Sequence, residues 1–394
     1  MAKTKIDKKK EKEVVKTPEE KANDRVFAYF KNHEDQHYNF EEQQDYLVST
    51  GSLQLDAELE GFGPGFHRFF GPTESGKTSQ ALVIMKNMLD TVPKSKGLYV
   101  KAEGRFSKKI QIRSGITFVT DPKEWVHGTC LVVKSNRSEF VFKLIDGIIA
   151  DQIYEDGTKI CGILDSTDGL ITANAVGKEY GESAQVAGGA VQASHFAKIA
   201  ALPAGERGHM LIILSQLRDK IKISAYAAAD KQKKAGGSGG NALMHYPDHI
   251  WEFVNVNQGD MFLKNGDLQP HFQKNPIVGH NVRFKTLKTP NEKTNMMFEY
   301  PIKYGRVAGN SIWVEREVVD FLLDWGFIER KGAWFSLTED LILEIHNFAD
   351  EEEEPMLEKI QGMEKLYLAF EARPKLTEHL IKFSKRTIDE AISD

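Results

Sequence analysis

Eight consecutive residues carry the clearest chemistry in this chain: Gly71, Pro72, Thr73, Glu74, Ser75, Gly76, Lys77 and Thr78. Glycines let a loop backbone wrap closely around an anion, the Lys77 ammonium neutralises phosphate oxygens, and the Thr78 hydroxyl can take one place on a magnesium ion. The apolar run FHRFFG leads into them, and Ala81, Leu82, Met85, Met88 and Leu89 follow at helical spacing. The loop therefore joins a strand to a helix N-terminus, where unpaired N–H groups and the positive end of the helix dipole face bound phosphates. This is a full Walker A motif in the context it requires, and it predicts ATP and Mg2+ as ligands.

Three more polar groups end apolar runs. Asp165-Ser166 follow Ile160 to Leu164 and have the form of a carboxylate that holds Mg2+ through water. Glu103 stands just past GLYVKA, where a carboxylate could orient and deprotonate an attacking water. Gln216 follows Met210 to Ser215, and its amide could sense a terminal phosphate. Parallel sheets gather their ligands at the carboxyl ends of their strands, so the placement suits all three. Taken singly, Glu103 and Gln216 fit an ordinary surface polar residue equally well.

The elements that position these groups are short apolar runs separated by helical stretches. That alternation predicts an α/β fold with a mostly parallel sheet covered on both faces. After Asn281 the runs VRFKTL, MMFEYPIKY and IWV predict neighbouring strands at one edge of the sheet. Residues 1–45 read as a flexible basic arm, unpatterned to about residue 24, and a short segment whose Val26, Phe27, Tyr29 and Phe30 suit docking on a core or a neighbouring subunit. Residues 46–338 read as the ATPase core, and 339–394 as a small acidic helical domain.

At 394 residues and 41% hydrophobic content, the chain can bury a sizeable core and still build a smaller domain. The expectation is a cytoplasmic protein with no membrane partner, because no apolar run could span a bilayer and MAKTKIDKKKEKE lacks the apolar centre of a secretory signal. Cys130 and Cys161 are too few for a disulfide framework and read as buried thiols.

A net charge of -5 argues against a nucleic-acid partner for the chain as a whole, but the local distribution differs. Arg218, Lys220, Lys222, Lys231, Lys233 and Lys234 lie between Gln216 and Asn241, in a segment rich in Ala and Gly. Such a loop can grip a phosphate backbone through its cations and the N–H groups of Gly239 and Gly240, with Ile221 or Tyr226 wedged against bases. Without the phosphate loop beside it, the same segment would read as a solvated surface loop.

Over roughly residues 46–338 the chain resembles the RecA recombinases, including the phage UvsX branch. The resemblance rests on Ser49-Thr50-Gly51-Ser52-Leu53 with Asp56, GPTESGKT, Ala102-Glu103, Asp165-Ser166 and Ser215-Gln216. It continues through Gly239-Gly240-Asn241-Ala242-Leu243, Tyr304-Gly305 and the segment Lys331 to Ser336, all in one order. It implies a RecA-type P-loop NTPase core with an N-terminal oligomerisation arm and a small C-terminal domain. The implied activity is an ATP-dependent recombinase that forms filaments on single-stranded DNA and exchanges strands with homologous double-stranded DNA in recombination and repair.

Implied partners include further copies of the chain and single-strand-binding or mediator proteins. The implied location is the cytoplasm, on the nucleoid or in a phage host.

By the same resemblance Glu103 is the water-activating base, Gln216 couples ATP to DNA, and Thr78 and Asp165 hold Mg2+. Tyr304 lies against adenine, and Lys288 reaches the γ-phosphate across a subunit interface, with Pro290 standing where a second lysine accompanies it in RecA. Arg218, Lys220, Ile221, Gly239, Gly240 and Asn241 are the implied DNA contacts. Gly188 and Gly189 close a first DNA loop, residues 179–189, which has no Lys or Arg and so works through backbone or apolar contacts.

A hexameric DNA helicase or another motor of the same fold would share these nucleotide residues. A small-molecule kinase would need neither the basic glycine-rich loop nor Gln216, and a scaffold using ATP only as a structural ligand would not need Glu103.

Replacing Lys77 by Ala removes the phosphate counter-charge, so nucleotide-dependent DNA binding and ATP turnover should both be lost. Turnover equal to the parent's in a phosphate-release assay would remove the phosphate loop from consideration.

Overall fold

Each central strand of the sheet is apolar on both faces, because period-two side chains point alternately into two separate cores. The computed structural model describes residues 17–39, 45–149, 157–176, 187–217, 242–266, 269–348 and 355–393. Its strands are β1 Gly65–Gly71, β2 Ser95–Lys101, β3 Thr117–Val119, β4 Thr129–Lys134, β5 Lys159–Asp165, β6 Met210–Gln216, β7 His249–Phe253, β8 Met261–Leu263, β9 Ile277–Lys288, β10 Met297–Lys303, β11 Ile328–Lys331, β12 Trp334–Leu337 and β13 Lys359–Gln361.

The helices are α1 Pro18–Lys31, α2 Leu53–Leu59, α3 Lys77–Thr91, α4 Lys108–Ser114, α5 Ser138–Ile149, α6 Ala173–Val176, α7 Ala187–Glu206, α8 Ala242–His245, α9 Val314–Asp324, α10 Glu339–Phe348, α11 Met363–Glu371 and α12 Pro374–Ser393.

The main sheet runs β10-β9-β7-β1-β6-β5-β2-β4-β3, with β8 paired to β9. All pairings from β7 through β3 are parallel, and β9 is antiparallel to β7, β8 and β10. The mostly parallel α/β architecture expected from the sequence is the one observed.

Phe69, Tyr99, Ile163, Ile212 and Leu214 join one core with α3, and Phe66, Leu98, Val100, Leu164 and Ile213 join the other with α5 and α7. On the first face Trp251 is fully buried, stacked on Phe69 at 4.9 Å and on Phe284 at 4.0 Å, which ties β1, β7 and β9 together. On the second face Phe142 of α5 stacks on Phe196 of α7 at 4.7 Å. Burying one such side chain stabilises the fold by about 1.5–3 kcal/mol.

VRFKTL and MMFEYPIKY form the antiparallel edge pair β9 and β10, as their patterning predicts. IWV does not continue the sheet. Ile312 makes a single bridge to Ile302, Trp313 caps α9 and Val314 begins it.

The segment Met1–Glu42 forms a unit of its own. Within it, α1 begins earlier than the expected arm allows, because Thr17 and Glu20 form a reciprocal capping box and Pro18 occupies the first turn. The Thr17 hydroxyl accepts from the Glu20 N–H at 3.2 Å, and the Glu20 carboxylate accepts from the Thr17 N–H at 2.6 Å. The cue is local, in Thr17-Pro18-Glu19-Glu20, and carries no hydrophobic period. Val26, Phe27 and Tyr29 are exposed on this helix.

A third core, built from α9 to α12 with β11, β12 and β13, takes Trp313, Val318, Leu322 and Phe335 together with Leu341, Ile360, Leu366 and Phe370. Among the described residues after 339 lie α10, α11 and α12 and one strand, β13, that pairs with β12. Both cysteines are buried free thiols, and burial pushes each thiol up. Among the described residues no helix is long and apolar enough to cross a membrane.

Glu317 of α9 fastens this core to α2. Its carboxylate accepts from the Ser52 hydroxyl at 2.5 Å and the Leu53 N–H at 2.8 Å, and burial pushes it up to about 8 against those bonds. A carboxyl raised on folding adds stability that is complete below its unfolded pKa and lost as pH rises through the folded value. Glu317→Gln keeps the shape and removes the titration. Its thermal midpoint should therefore fall less than the parent's between pH 5 and pH 8, and lie a few degrees above the parent's at pH 8. Parallel melting curves for parent and variant across that range would contradict this.

Candidate nucleotide site

The site begins at the end of β1. Gly71 and Gly76 bracket the phosphate loop with φ of +149° and +99°. A Cβ at Gly71 would strike the Phe253 carbonyl, and one at Gly76 would lie 3.0 Å from Val282 of β9, so the loop needs glycine at both places. Ser75 donates to the Pro72 carbonyl at 2.8 Å and closes the loop on itself.

Gly76 caps α3 without a side-chain bond, which leaves the N–H groups of the first turn available to an anion. Lys77 folds back across the loop and donates to the carbonyls of Gly71, at 3.0 Å, and Pro72. Burial lowers its pKa, while the nearby carboxylates of Asp165, Asp168 and Glu103 act the other way.

Register brings the other strand ends level with this loop. Gly71 lies opposite Gln216, and Lys101 lies opposite Asp165. Period two then turns Tyr99, Lys101, Asp165 and Gln216 toward the face that α3 covers. The Asp165 Oδ2 accepts from the Tyr99 hydroxyl at 2.5 Å and the Lys101 Nζ at 2.7 Å, and lies 3.3 Å from the Thr78 hydroxyl. Glu103 Oε1 accepts from the Ser166 hydroxyl at 2.6 Å and the Gln216 side-chain amide at 2.9 Å. The Gln216 N–H donates to Asp168 at 2.6 Å.

The phosphate loop, Thr78, Asp165, Ser166, Glu103 and Gln216 therefore form one cluster. Thr78 and Asp165 offer hard oxygen donors, which suits Mg2+, an ion that uses one or two protein ligands beside substrate phosphates. Among the described residues no group of three or more His, Cys, Asp or Glu is arranged to hold a metal alone.

Four residues of the site escape the motif-based reading. Lys101 and Tyr99 face Asp165 from β2, Asp168 anchors Gln216, and Arg68 is a fully buried cation on β1. Arg68 donates to the Ser215 hydroxyl at 3.1 Å and the Leu243 carbonyl at 3.0 Å, and burial lowers its pKa to about 10. The available signal is the same in two cases: Arg68 in FHRFFG and Lys101 in GLYVKA are charges inside otherwise apolar strands.

Tyr304 bonds His280 of β9 at 2.8 Å, and His280 shares a strand face with Val282, which packs on Gly76. Lys288 is not brought to the cluster within the chain. It sits at the far end of β9, opposite Ile250, and donates to the His245 carbonyl at 2.8 Å. Gly188 and Gly189 fall in the first turn of α7, and the residues before Ala187 in that loop lie outside the described residues back to position 177. Arg218, Lys220, Ile221, Gly239, Gly240 and Asn241 also lie outside the described residues.

No family model matches the chain. Similar proteins include Protein RecA of Chlorobaculum parvum, 25% identical over 296 residues that cover 73% of each chain. Protein RecA of Mycobacterium marinum is 25% identical over 295 residues, 74% of this chain and 73% of that protein. Protein RecA of Bordetella petrii is 25% identical over 297 residues, 74% of this chain and 71% of that protein. The chain is a distant relative of RecA proteins with a RecA-type α/β core.

Glu103→Gln keeps the shape and the acceptor oxygen but cannot take a proton. Nucleotide binding should survive, while ATP turnover in a phosphate-release assay falls by about 10²-fold or more. A loss within about threefold would show that Glu103 is not the base.

Proposed function

We propose that this chain is a DNA-dependent ATPase that coats single-stranded DNA as a filament and promotes homologous pairing and strand exchange. The observation that carries this reading is the 2.9 Å bond from Gln216 to Glu103. Gln216 is the last residue of β6 and stands two residues before Arg218, where the basic segment starts. Glu103, the carboxylate we assign as the water-activating base, and the root of that segment are thus joined by one side chain, an arrangement that supports coupling between ATP and DNA.

In this mechanism Lys77 and the first-turn N–H groups of α3 hold the β- and γ-phosphates. Thr78 and Asp165 would hold Mg2+, which would supply charge stabilisation at the phosphates. Glu103 takes a proton from the water that attacks the γ-phosphorus, the bond to the β-bridging oxygen breaks, and ADP leaves with that electron pair. Gln216 exchanges its bond to Glu103 for one to the γ-phosphate, so the state of the nucleotide reaches the basic segment.

Arg68 supports the same coupling, since it grips Ser215 before that segment and Leu243 after it. The remoteness of Lys288 from its own cluster agrees with a role at a neighbouring subunit's phosphate, and stacking of adenine on Tyr304 agrees with its half-exposed ring. The distant RecA relatives support an ATPase of the RecA type.

DNA affinity should rise with ATP or a non-hydrolysable analogue and fall with ADP, and single-stranded DNA should raise ATP turnover. Replacing both Arg218 and Lys220 by Ala should flatten the salt dependence of single-strand binding by about 0.7 log unit per lost phosphate contact and leave nucleotide affinity unchanged. Equal slopes and affinities in a salt titration would remove the segment as the DNA grip. Closed rings in electron micrographs of the ATP–DNA complex would favour a helicase.

A further inference from the structure

Strand β2 lies between β5 and β4 in the middle of the parallel sheet, yet it ends in a lysine. The Lys101 side chain is 15% exposed and its partner Asp165 only 7%, so this ion pair is largely removed from water. A buried carboxylate left charged and unpaired is strongly destabilising, so an ionised Asp165 calls for a cation beside it. Lys101 Nζ sits 2.7 Å from Asp165 Oδ2, the same oxygen that faces the Thr78 hydroxyl at 3.3 Å. The ammonium therefore occupies the space beside the two groups that would hold Mg2+.

We propose that Lys101 is a built-in cation on the metal-holding carboxylate. It keeps the site folded without a divalent ion and competes with Mg2+ for Asp165, so that the ion binds well only when nucleotide phosphates add negative charge. Two cations within a few ångströms of one carboxylate repel each other strongly at low effective dielectric, and a triphosphate offsets that repulsion. Divalent-ion binding is thereby made conditional on nucleotide binding. The role of Asp165 as a metal-holding group rests on the reading under Proposed function, while the ion pair itself does not.

The test uses the full chain and Mn2+ as the probe, followed by electron paramagnetic resonance without nucleotide. Lys101→Met removes the charge and keeps the stem, and it should bind Mn2+ about tenfold or more tightly than the parent. Its melting temperature should drop in EDTA and recover with Mg2+, whereas the parent's should be the same in both. Lys101→Arg should behave as the parent, and adding Asp165→Asn to Lys101→Met should abolish the gained Mn2+ site.

Lys101→Gln provides the same readouts from a side chain that can still donate to Asp165, should the Met variant not fold. Equal Mn2+ affinity in the parent and the uncharged variants, or a gained site that persists without Asp165, would overturn the proposal. Binding of a fluorescent ATP analogue to the parent is measured in parallel. Its absence would count against the ATPase reading and leave the Mn2+ comparison intact.

Discussion

The parallel hydrogen-bond ladder that levels the ends of β1, β6, β5 and β2 is the constraint on which the site depends. It sets Gly71 against Gln216 and Lys101 against Asp165, and the loops leaving those strands carry Lys77, Glu103 and Asp168. A slip of one residue would turn every side chain of a strand to the opposite face. Both faces here are packed, one against α3 and the other against α5 and α7, so no such slip can be accommodated. Register and the clustering of these polar groups are therefore specified by the same burial.

Having levelled these ends, the sheet must neutralise what it has gathered. Lys77, Asp165, Ser166 and Arg68 are all buried, and each has hydrogen-bond partners. Satisfied networks of this kind are rigid, because breaking any one bond strands a buried polar group. That rigidity holds Glu103 with Gln216 in a geometry that two exposed side chains would not keep. Gln216 is tied on both sides, to Glu103 through its side-chain amide and to Asp168 through its backbone N–H.

The third core is attached by the same type of bond. Glu317 satisfies the Ser52 hydroxyl and the Leu53 N–H at the start of α2, and α2 is part of the lead-in to β1. Lys385 of α12 adds a second tie to that lead-in through Asp56 at 3.0 Å. Helices α9 and α12 thus contact the segment that feeds the phosphate-loop strand through polar groups that are buried or half-buried.

The sequence by itself determined what is local. The phosphate loop is contiguous, so Gly71, Gly76, Lys77 and Thr78 are readable from their spacing, and the apolar runs around them specify strands and a helix whatever the rest of the chain does. Asp165, Glu103 and Gln216 are legible as polar ends of apolar runs, though not as partners. The capping box at Thr17 is equally local, and an eye trained on hydrophobic period passes over it because it has none.

What tertiary structure alone decided are the pairings across distance. Lys101 and Asp165 are 64 residues apart, Gln216 and Glu103 are 113 apart, and Ser52 and Glu317 are 265 apart. No periodicity links such residues, since they meet only when strand order and register are set by the summed burial of two cores. Lys101, at the end of an apolar strand, becomes the partner of the buried Asp165 carboxylate only once the neighbouring strand is known.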